Sequence, residues 1–364
     1  MSDYHALALF SGGLDSILAA RLIQNQGLRV KCLHFISPFF GKPSRVRHWE
    51  KLYGLDIDTV DIGDQYADML ASGPAHGFGS VMNPCVDCKI LMMRNARERL
   101  SRYGATFLIS GEVLGQRPMS QRRDTLNIIR RDAEARDILL RPLCARHLDP
   151  TEPELSGLVD RERLLGISGR GRKEQLELAE RFGIEEIPTP GGGCMLTEKE
   201  NARRYWPVLE HIPAPKAADF RLANLGRQLW LHDGERHYWL SIGRNQADNE
   251  HYAALRRPGD LLFKLVGYPG PLAMGRASAP WPAPIVQQAA ALMASYSPKA
   301  RTAGDNGKTV RVRISECAPN KESDPVAEVE ITPSRQTGFA EPAWEETHRK
   351  LLALRKQGQI CGKG

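Results

Sequence analysis

Between residues 5 and 110, short apolar runs alternate with segments whose apolar residues return every three or four positions. Ala6-Leu7-Ala8-Leu9-Phe10 is short and continuous, as a strand buried on both faces requires. Leu14, Ile17, Leu18 and Leu22 follow at helical spacing. A second strand is expected over residues 30–36 and a helix over 43–53. The alternation Asp56-Ile57-Asp58-Thr59-Val60-Asp61-Ile62 predicts a strand with one buried face. A helix over 89–102, a strand over 106–110 and a helix over 172–182 complete the series. The rhythm predicts an α/β domain with a doubly wound, mostly parallel sheet covered by helices. Ligands of such sheets bind beyond the carboxyl ends of the strands, where Ser11, Ser37 and Ser110-Gly111-Glu112 fall.

The rhythm stops near Trp206-Pro207. Residues 207–218, with Ile212-Pro213-Ala214-Pro215, read as a linker, because proline continues neither a helix nor a central strand. Short strands are expected at 228–232, 237–243, 261–266, 271–276 and 309–314, with one helix over 284–296. The chain thus divides into an α/β domain over 1–206, a smaller α+β domain over 219–315, and a mobile tail over 316–364. The tail is rich in Pro, Glu, Lys and Ser, with a short helix expected near 342–356.

Hydrophobic residues at 41% and charged residues at 26% exclude a disordered chain and a fibrous one. No run is long enough to span a bilayer, and the N-terminus lacks the layout of a secretory signal, so a cytoplasmic protein with no membrane partner is expected. Seven cysteines, an odd number spread over 364 residues, point to reduced thiols and leave metal, cluster or sulfur chemistry open. The net charge of +7 is compatible with a polyanionic partner.

The sharpest chemical signal is Phe10-Ser11-Gly12-Gly13-Leu14-Asp15-Ser16, placed between the first strand and the first helix. Gly12 and Gly13 let the backbone turn tightly and bring N–H groups against an oxyanion, and the helix directs its positive end at the same point. Ser11 and Ser16 offer hydroxyl donors, and Asp15 is a ligand suited to Mg²⁺. No lysine follows the glycines, which excludes the loop of kinases and GTPases. The string resembles the signature of the PP-loop ATP pyrophosphatases, over about residues 4–205. That resemblance implies a HUP-like fold, cleavage of ATP between its α and β phosphates, and transfer of AMP to a substrate oxygen. The nucleotide site it implies comprises Ser11, Gly12, Gly13, Asp15, Ser16, Phe35 and Gly111.

Cys85 and Cys88 form a C-x-x-C within Asn83-Pro84-Cys85-Val86-Asp87-Cys88-Lys89, ahead of a helix. Cys194 lies far along the chain in Pro190-Gly191-Gly192-Gly193-Cys194. Such a pair with one distant thiol suits a single metal or a cluster, and three ligands on a [4Fe–4S] cube leave one iron free. The arrangement resembles the iron–sulfur subgroup of tRNA-thiolating PP-loop enzymes. The Asn-Pro-x-x-x-Cys stretch is similar also to the tRNA 2-thiouridylases, in which cysteines pass sulfur as a persulfide. There an acid usually stands at the position of Cys85, which favours the cluster. Zinc completed by Cys144, His76 or His147, and unconnected thiols, stay open as alternatives. Cys32 reads as core, and Cys317 and Cys361 carry no activating pattern.

Residues 117–146 hold eight arginines against four acids, a composition that suits either phosphate recognition or a solvated helix face. Farther on, Ile242-Gly243-Arg244-Asn245-Gln246, Arg257-Pro258-Gly259-Asp260, Gly267-Tyr268-Pro269-Gly270 and Ser297-Pro298-Lys299-Ala300-Arg301 resemble, in order and spacing, the RNA-binding domain of the NFACT proteins. The match spans about residues 219–315 and departs at Phe263-Lys264, where that family usually has a histidine. Arg244, Asn245, Lys264, Tyr268, Lys299 and Arg301 are the candidate RNA contacts, combining charge, amide and aromatic groups.

Together these readings predict an ATP-dependent sulfurtransferase acting on RNA, with tRNA the expected substrate. Asp15, Cys85, Cys88 and Cys194 are the catalytic candidates, and ATP, Mg²⁺ and a [4Fe–4S] cluster the expected cofactors, with zinc or a cysteine persulfide as alternatives. No THUMP or rhodanese domain is recognisable, so a separate sulfur donor such as a cysteine desulfurase relay is expected. The competing readings are a PP-loop synthetase acting on a small molecule and a non-catalytic RNA-binding redox sensor.

Overall fold

The computed structural model describes residues 4–117, 120–189, 193–317 and 325–361. These divide into two compact units, residues 1–197 with 354–364, and residues 198–353.

In the first unit, β1 (Ala6–Leu9), β2 (Val30–Ile36), β3 (Asp56–Asp61), β4 (Phe107–Ser110) and β5 (Leu139–Leu140) form one parallel sheet in the order β3-β2-β1-β4-β5. Ala6 pairs with Val30 on one side and Phe107 on the other, so β1 is the central strand. Its side chains are buried on both faces except at Leu9, which explains the continuous apolar run. β3 is an edge strand and keeps only Ile57 and Val60 buried among exposed acids. The chain adds β2 and β3 on one side of β1 and then returns to place β4 on the other. This reversal opens a crevice at the carboxyl end of β1, and the Ser-Gly-Gly turn lies there. The helix Leu14–Gln24 leaves that turn and buries Leu14, Ile17, Leu18 and Leu22. The doubly wound α/β expectation therefore holds. The two-residue β5 is too short to have a period of its own, and the sequence pattern did not expose it.

The second unit carries an antiparallel sheet of β6 (Arg227–Asp233), β7 (Arg236–Ile242), β8 (Leu261–Val266), β9 (Leu272–Ala277), β10 (Val310–Glu316) and β11 (Pro325–Ile331). Their order is β11-β10-β8-β9-β7-β6. The helix Ala283–Ala294 packs on this sheet through Ile285, Ala289, Ala290 and Met293. Elsewhere in this unit, the buried Arg276 guanidinium is neutralised by Asp260 at 2.6 Å and Asp219 at 2.9 Å.

Two expectations need correction. Residues 207–218 do not form an extended linker, because the helix Lys199–His211 runs through Pro207 and a helix Ala217–Ala223 follows. Nor is the stretch after residue 316 a bare tail. β11 pairs with β10 from Val310↔Ile331 to Ser315↔Pro325, whereas the helix expected near 342–356 is present as Trp344–Cys361. Phe339 and Leu351 are buried as well. The Val-Ala-Glu-Val-Glu-Ile alternation is that of an edge strand with one covered face. No helix among the described residues is long and apolar enough to cross a membrane.

Candidate functional site

The turn after β1 has the backbone of an anion cradle. Gly12 adopts φ +78°, and a Cβ on it would come to 2.6 Å from the Trp49 ring. No other residue fits both constraints. Ser11 Oγ accepts from the Gly13 N–H at 3.3 Å, and the Ser16 hydroxyl donates to the Gly13 carbonyl at 2.7 Å. These local bonds hold the turn, and the Ser16 and Ile17 N–H groups close the first helical turn on the Gly13 carbonyl at 3.1 and 3.3 Å.

Residues the sequence did not single out support the turn from behind. The Lys42 N–H donates to His34 Nε2 at 2.9 Å, so Nδ1 carries the proton and donates to the Phe10 carbonyl at 3.0 Å. Burial holds the His34 imidazole below its usual range, in keeping with this neutral tautomer. Trp49, from the helix Val46–Tyr53, meets Phe10 and His34 edge-on at 5.5 and 5.1 Å. Phe35, expected at the nucleotide, is buried in β2 with its side chain in the sheet's packing. Gly111 has a sharper role than a ligand contact, since a Cβ there would come to 2.5 Å from the Asp15 carbonyl oxygen. The end of β4 and the start of the first helix touch backbone to backbone.

Asp15 points into this crevice. Its Oδ2 accepts from Gln116 Nε2 at 3.1 Å, whereas Oδ1 is buried without a partner. Burial pushes the carboxyl above its usual range, and Gln116 with the guanidiniums of Arg172 and Arg117 pulls it back only in part. Gln116 Oε1 is likewise buried and unpartnered, and the buried Gln175 amide approaches the same carboxyl. A buried anionic oxygen beside unspent amide groups fits a bound cation and a polar ligand. Asp15 is thus suited to Mg²⁺, and the turn to a polyphosphate.

Cys85 and Cys88 lie in the first turn of the helix Cys85–Arg97. Asn83 Nδ2 donates to Cys85 Sγ at 3.0 Å. The Cys194 segment is tied down on both sides, Met195 N–H to the Phe39 carbonyl at 2.9 Å and Met82 N–H to the Leu196 carbonyl at 3.1 Å. Burial, then the neighbouring Cys194, push the Cys88 thiol up to about 12. The buried Tyr66 hydroxyl feels Cys88, Cys194 and Cys85 together, so the three sulfurs share one locality. They are not drawn within 4.8 Å of one another. One zinc ion, with bonds of ~2.3 Å to sulfur, requires closer thiolates than that. The proposed completing ligands are engaged elsewhere: Cys144 Sγ is buried against the Glu112 carbonyl at 3.3 Å, His76 bonds Asp132 at 3.1 Å, and His147 bonds the Gly166 carbonyl at 2.6 Å. Cys32, Cys85, Cys88, Cys144 and Cys317 take part in no disulfide. Residues 190–192 of the Pro-Gly-Gly-Gly run lie outside the described residues.

The arginine-rich segment divides. Arg141 is withdrawn into a buried pair with Glu112 at 2.9 Å, whereas Arg117, Arg122, Arg123, Arg131, Arg136 and Arg146 are exposed. In the second unit, Asn245 is spent as the cap of the helix Gln246–Leu255, its side chain accepting from the Asp248 N–H at 2.9 Å. Arg244 pairs with Asp248 at 2.9 Å and stays partly exposed. Lys264, Lys299 and Arg301 are exposed, and Tyr268 packs partly against the core. The sequence reading missed Tyr296, whose ring lies 4.4 Å from the Arg227 guanidinium and 3.6 Å from that of Arg335.

Residues 2–149 match the family model described as "Thiamine biosynthesis protein (ThiI)". The chain is similar to a probable tRNA sulfurtransferase of Thermococcus kodakarensis, 29% identical over 145 residues that cover 38% of this chain and 36% of that protein. A probable tRNA sulfurtransferase of Methanosarcina acetivorans is 32% identical over 116 residues, 30% of this chain and 28% of its own. A tRNA sulfurtransferase of Salmonella typhi is 28% identical over 158 residues, 38% of this chain and 28% of its own. The chain thus spans about a third of the length of these relatives. The family match ends at residue 149, before Cys194 and before the whole second unit.

Proposed function

We propose that this chain is an ATP-dependent sulfurtransferase acting on tRNA, which activates a pyrimidine carbonyl by adenylation and replaces its oxygen with sulfur. The names of the relatives support the reaction class and the substrate. The observation that carries the reading is a run of contacts from the phosphate turn to the cysteine helix. Asp15 abuts Gly111, the next residue Glu112 lies 3.5 Å from Lys89, and Lys89 adjoins Cys88. Adenylation and sulfur delivery would then be served from one edge of the sheet.

In this scheme the Ser11–Ser16 turn holds the pyrophosphate portion of ATP and Asp15 holds Mg²⁺, which would supply charge neutralisation to the leaving group. The pyrimidine oxygen attacks the α-phosphorus, and the bond to the bridging oxygen breaks to release pyrophosphate. A sulfur nucleophile then adds at the activated carbon, and the carbon–oxygen bond breaks as AMP departs with the oxygen. Cys85, Cys88 and Cys194 would hold a [4Fe–4S] cluster, whose free iron supplies a position for hydrosulfide. A separate donor, such as a cysteine desulfurase relay, supplies the sulfur. The second unit would act as an NFACT-type module holding RNA, with Arg244, Lys264, Tyr268, Lys299 and Arg301 toward the polyanion and Asn245 shaping the turn.

The test is anaerobic turnover of the purified protein with ATP, Mg²⁺, sulfide and unfractionated tRNA. Release of AMP and pyrophosphate that depends on tRNA, with a thionucleoside found by mass spectrometry, is the expected result. AMP release driven by a small molecule and not by tRNA would instead identify a synthetase. No nucleotide turnover at all would leave an RNA-binding sensor. Iron and sulfide analysis of the same preparation separates a cluster from zinc or a persulfide.

A further inference from the structure

Three histidines converge in the second unit. His211 ends the helix Lys199–His211, and His232 and His237 are register partners across the β6–β7 hairpin. One ligand nitrogen from each lies within 4.8 Å of the others, the one such trio of potential metal ligands among the described residues. We infer that His211, His232 and His237 form a binding site for a divalent transition-metal ion of the zinc class.

The chemistry of the donor set supports this. Three imidazoles and no thiolate suit Zn²⁺ and its Co²⁺, Ni²⁺ and Cu²⁺ neighbours, whereas Mg²⁺ and Ca²⁺ require oxygen. His232 Nδ1 and His237 Nδ1 are 2.7 Å apart, a hydrogen bond in which one ring donates and the other accepts. A metal ion replaces the shared proton, and nitrogens held at ~2.0–2.1 Å from a tetrahedral ion need to separate only slightly. The two strands fix these residues in register, and the His211 ring stacks on His237 with centroids 3.9 Å apart. The trio is therefore largely gathered before any ion arrives.

The surrounding charge is also favourable. His211 Nε2 lies 3.4 Å from Glu210, and Lys350 bridges Glu210 at 2.6 Å and Glu346 at 3.0 Å. Two carboxylates against one ammonium leave a net negative surround for a cation. Burial, reinforced by His237, lowers His211 to about 4, and burial lowers His232 as well, so these two imidazoles are neutral near pH 7 with lone pairs available. Three protein ligands leave a fourth position for water or for Glu210, the coordination of an open rather than a sealed zinc site.

The cysteines of the first unit are rival zinc ligands, so the test must separate the two. The full chain, stripped of metal under reducing conditions, is titrated with ZnCl₂ by calorimetry and its bound metal counted by mass spectrometry. The expected result is one equivalent that His211→Ala and His237→Ala each lose, or bind at least ~100-fold more weakly, and that Cys88→Ser retains. His232→Gln, which keeps a polar side chain on the hairpin, guards against misfolding and is expected to show the same loss with an unchanged melting temperature. Co²⁺ in place of Zn²⁺ should give visible ligand-field bands that survive Cys88→Ser and vanish in the histidine variants. Zinc uptake that is unaltered by all three histidine variants, or abolished by Cys88→Ser alone, would overturn the assignment and leave the trio as stacked neutral rings.

Discussion

Glu112 and Arg141 form an ion pair at 2.9 Å whose side chains are only 1% and 2% exposed. Burial alone would push the Glu112 carboxyl up, but Lys89 and Arg141 outweigh it and hold the group below its usual range. Removing Arg141 leaves the buried carboxylate with Lys89, at 3.5 Å, as its remaining cationic neighbour. Arg141→Met is therefore expected to cost ~3–5 kcal/mol, read as a lowered urea midpoint at unchanged slope. Glu112→Gln together with Arg141→Met should recover part of that loss, and failure to recover any would show that packing, not charge, sets the cost.

Gly12 is expected to tolerate no side chain. A left-handed φ costs an alanine ~1–2 kcal/mol, and overpacking against Trp49 adds about as much. In a Trp49→Leu background the second contribution should disappear and the first remain. Chemical denaturation of the four proteins in this cycle measures both, and equal costs in the two backgrounds would refute the steric part.

Asp15→Asn should separate stability from function. Because burial raises this carboxyl, the folded state carries a penalty that grows as pH rises through the ordinary carboxylate range. The amide removes the penalty, so the melting temperature at pH 7 is expected to stay level or rise. Loss of the metal ligand should meanwhile lower tRNA-dependent AMP release by ~100-fold or more. A variant that is both less stable and inactive would argue for a merely structural aspartate.

Cys88, with its thiol pushed up to about 12, should be a poor nucleophile in metal-free protein. Its alkylation by iodoacetamide at pH 8 is expected to run at least ~100-fold slower than that of a free cysteine. Peptide mass spectrometry over a time course reports this directly, and rapid labelling would contradict the buried environment.

His211 predicts a pH dependence of its own. Its folded value near 4 lies below the ordinary imidazole value, so the unfolded chain binds the proton first. Stability is then full above about pH 6.5 and falls as pH drops toward 4. His211→Gln should flatten the urea midpoint over that window. An identical profile would assign the dependence to other groups, His34 among them.

The sequence exposed what is local and left hidden what is joined across the chain. The phosphate turn was legible because strand, glycines and helix follow one another directly between Ala6 and Gln24. Trp49 and His34 were not, since helical and strand periodicity say that such residues are covered but not by what. Gln116 and Gln175 meet Asp15 from over a hundred residues away. The β6–β7 hairpin was readable, yet pairing His232 with His237 requires the register, and His211 fell in the stretch read as a linker. Asn245 shows the converse error, for an amide that looks suited to a base is consumed as a helix cap.

The bare α-carbon of Gly111 has a mechanical consequence. With no methyl group interposed, the end of β4 is seated directly on the amides of Asp15 and Ser16. Side chains absorb small displacements by rotating, but main chain against main chain transmits them. Any shift of the turn is therefore met at residue 111 with no side chain to absorb it.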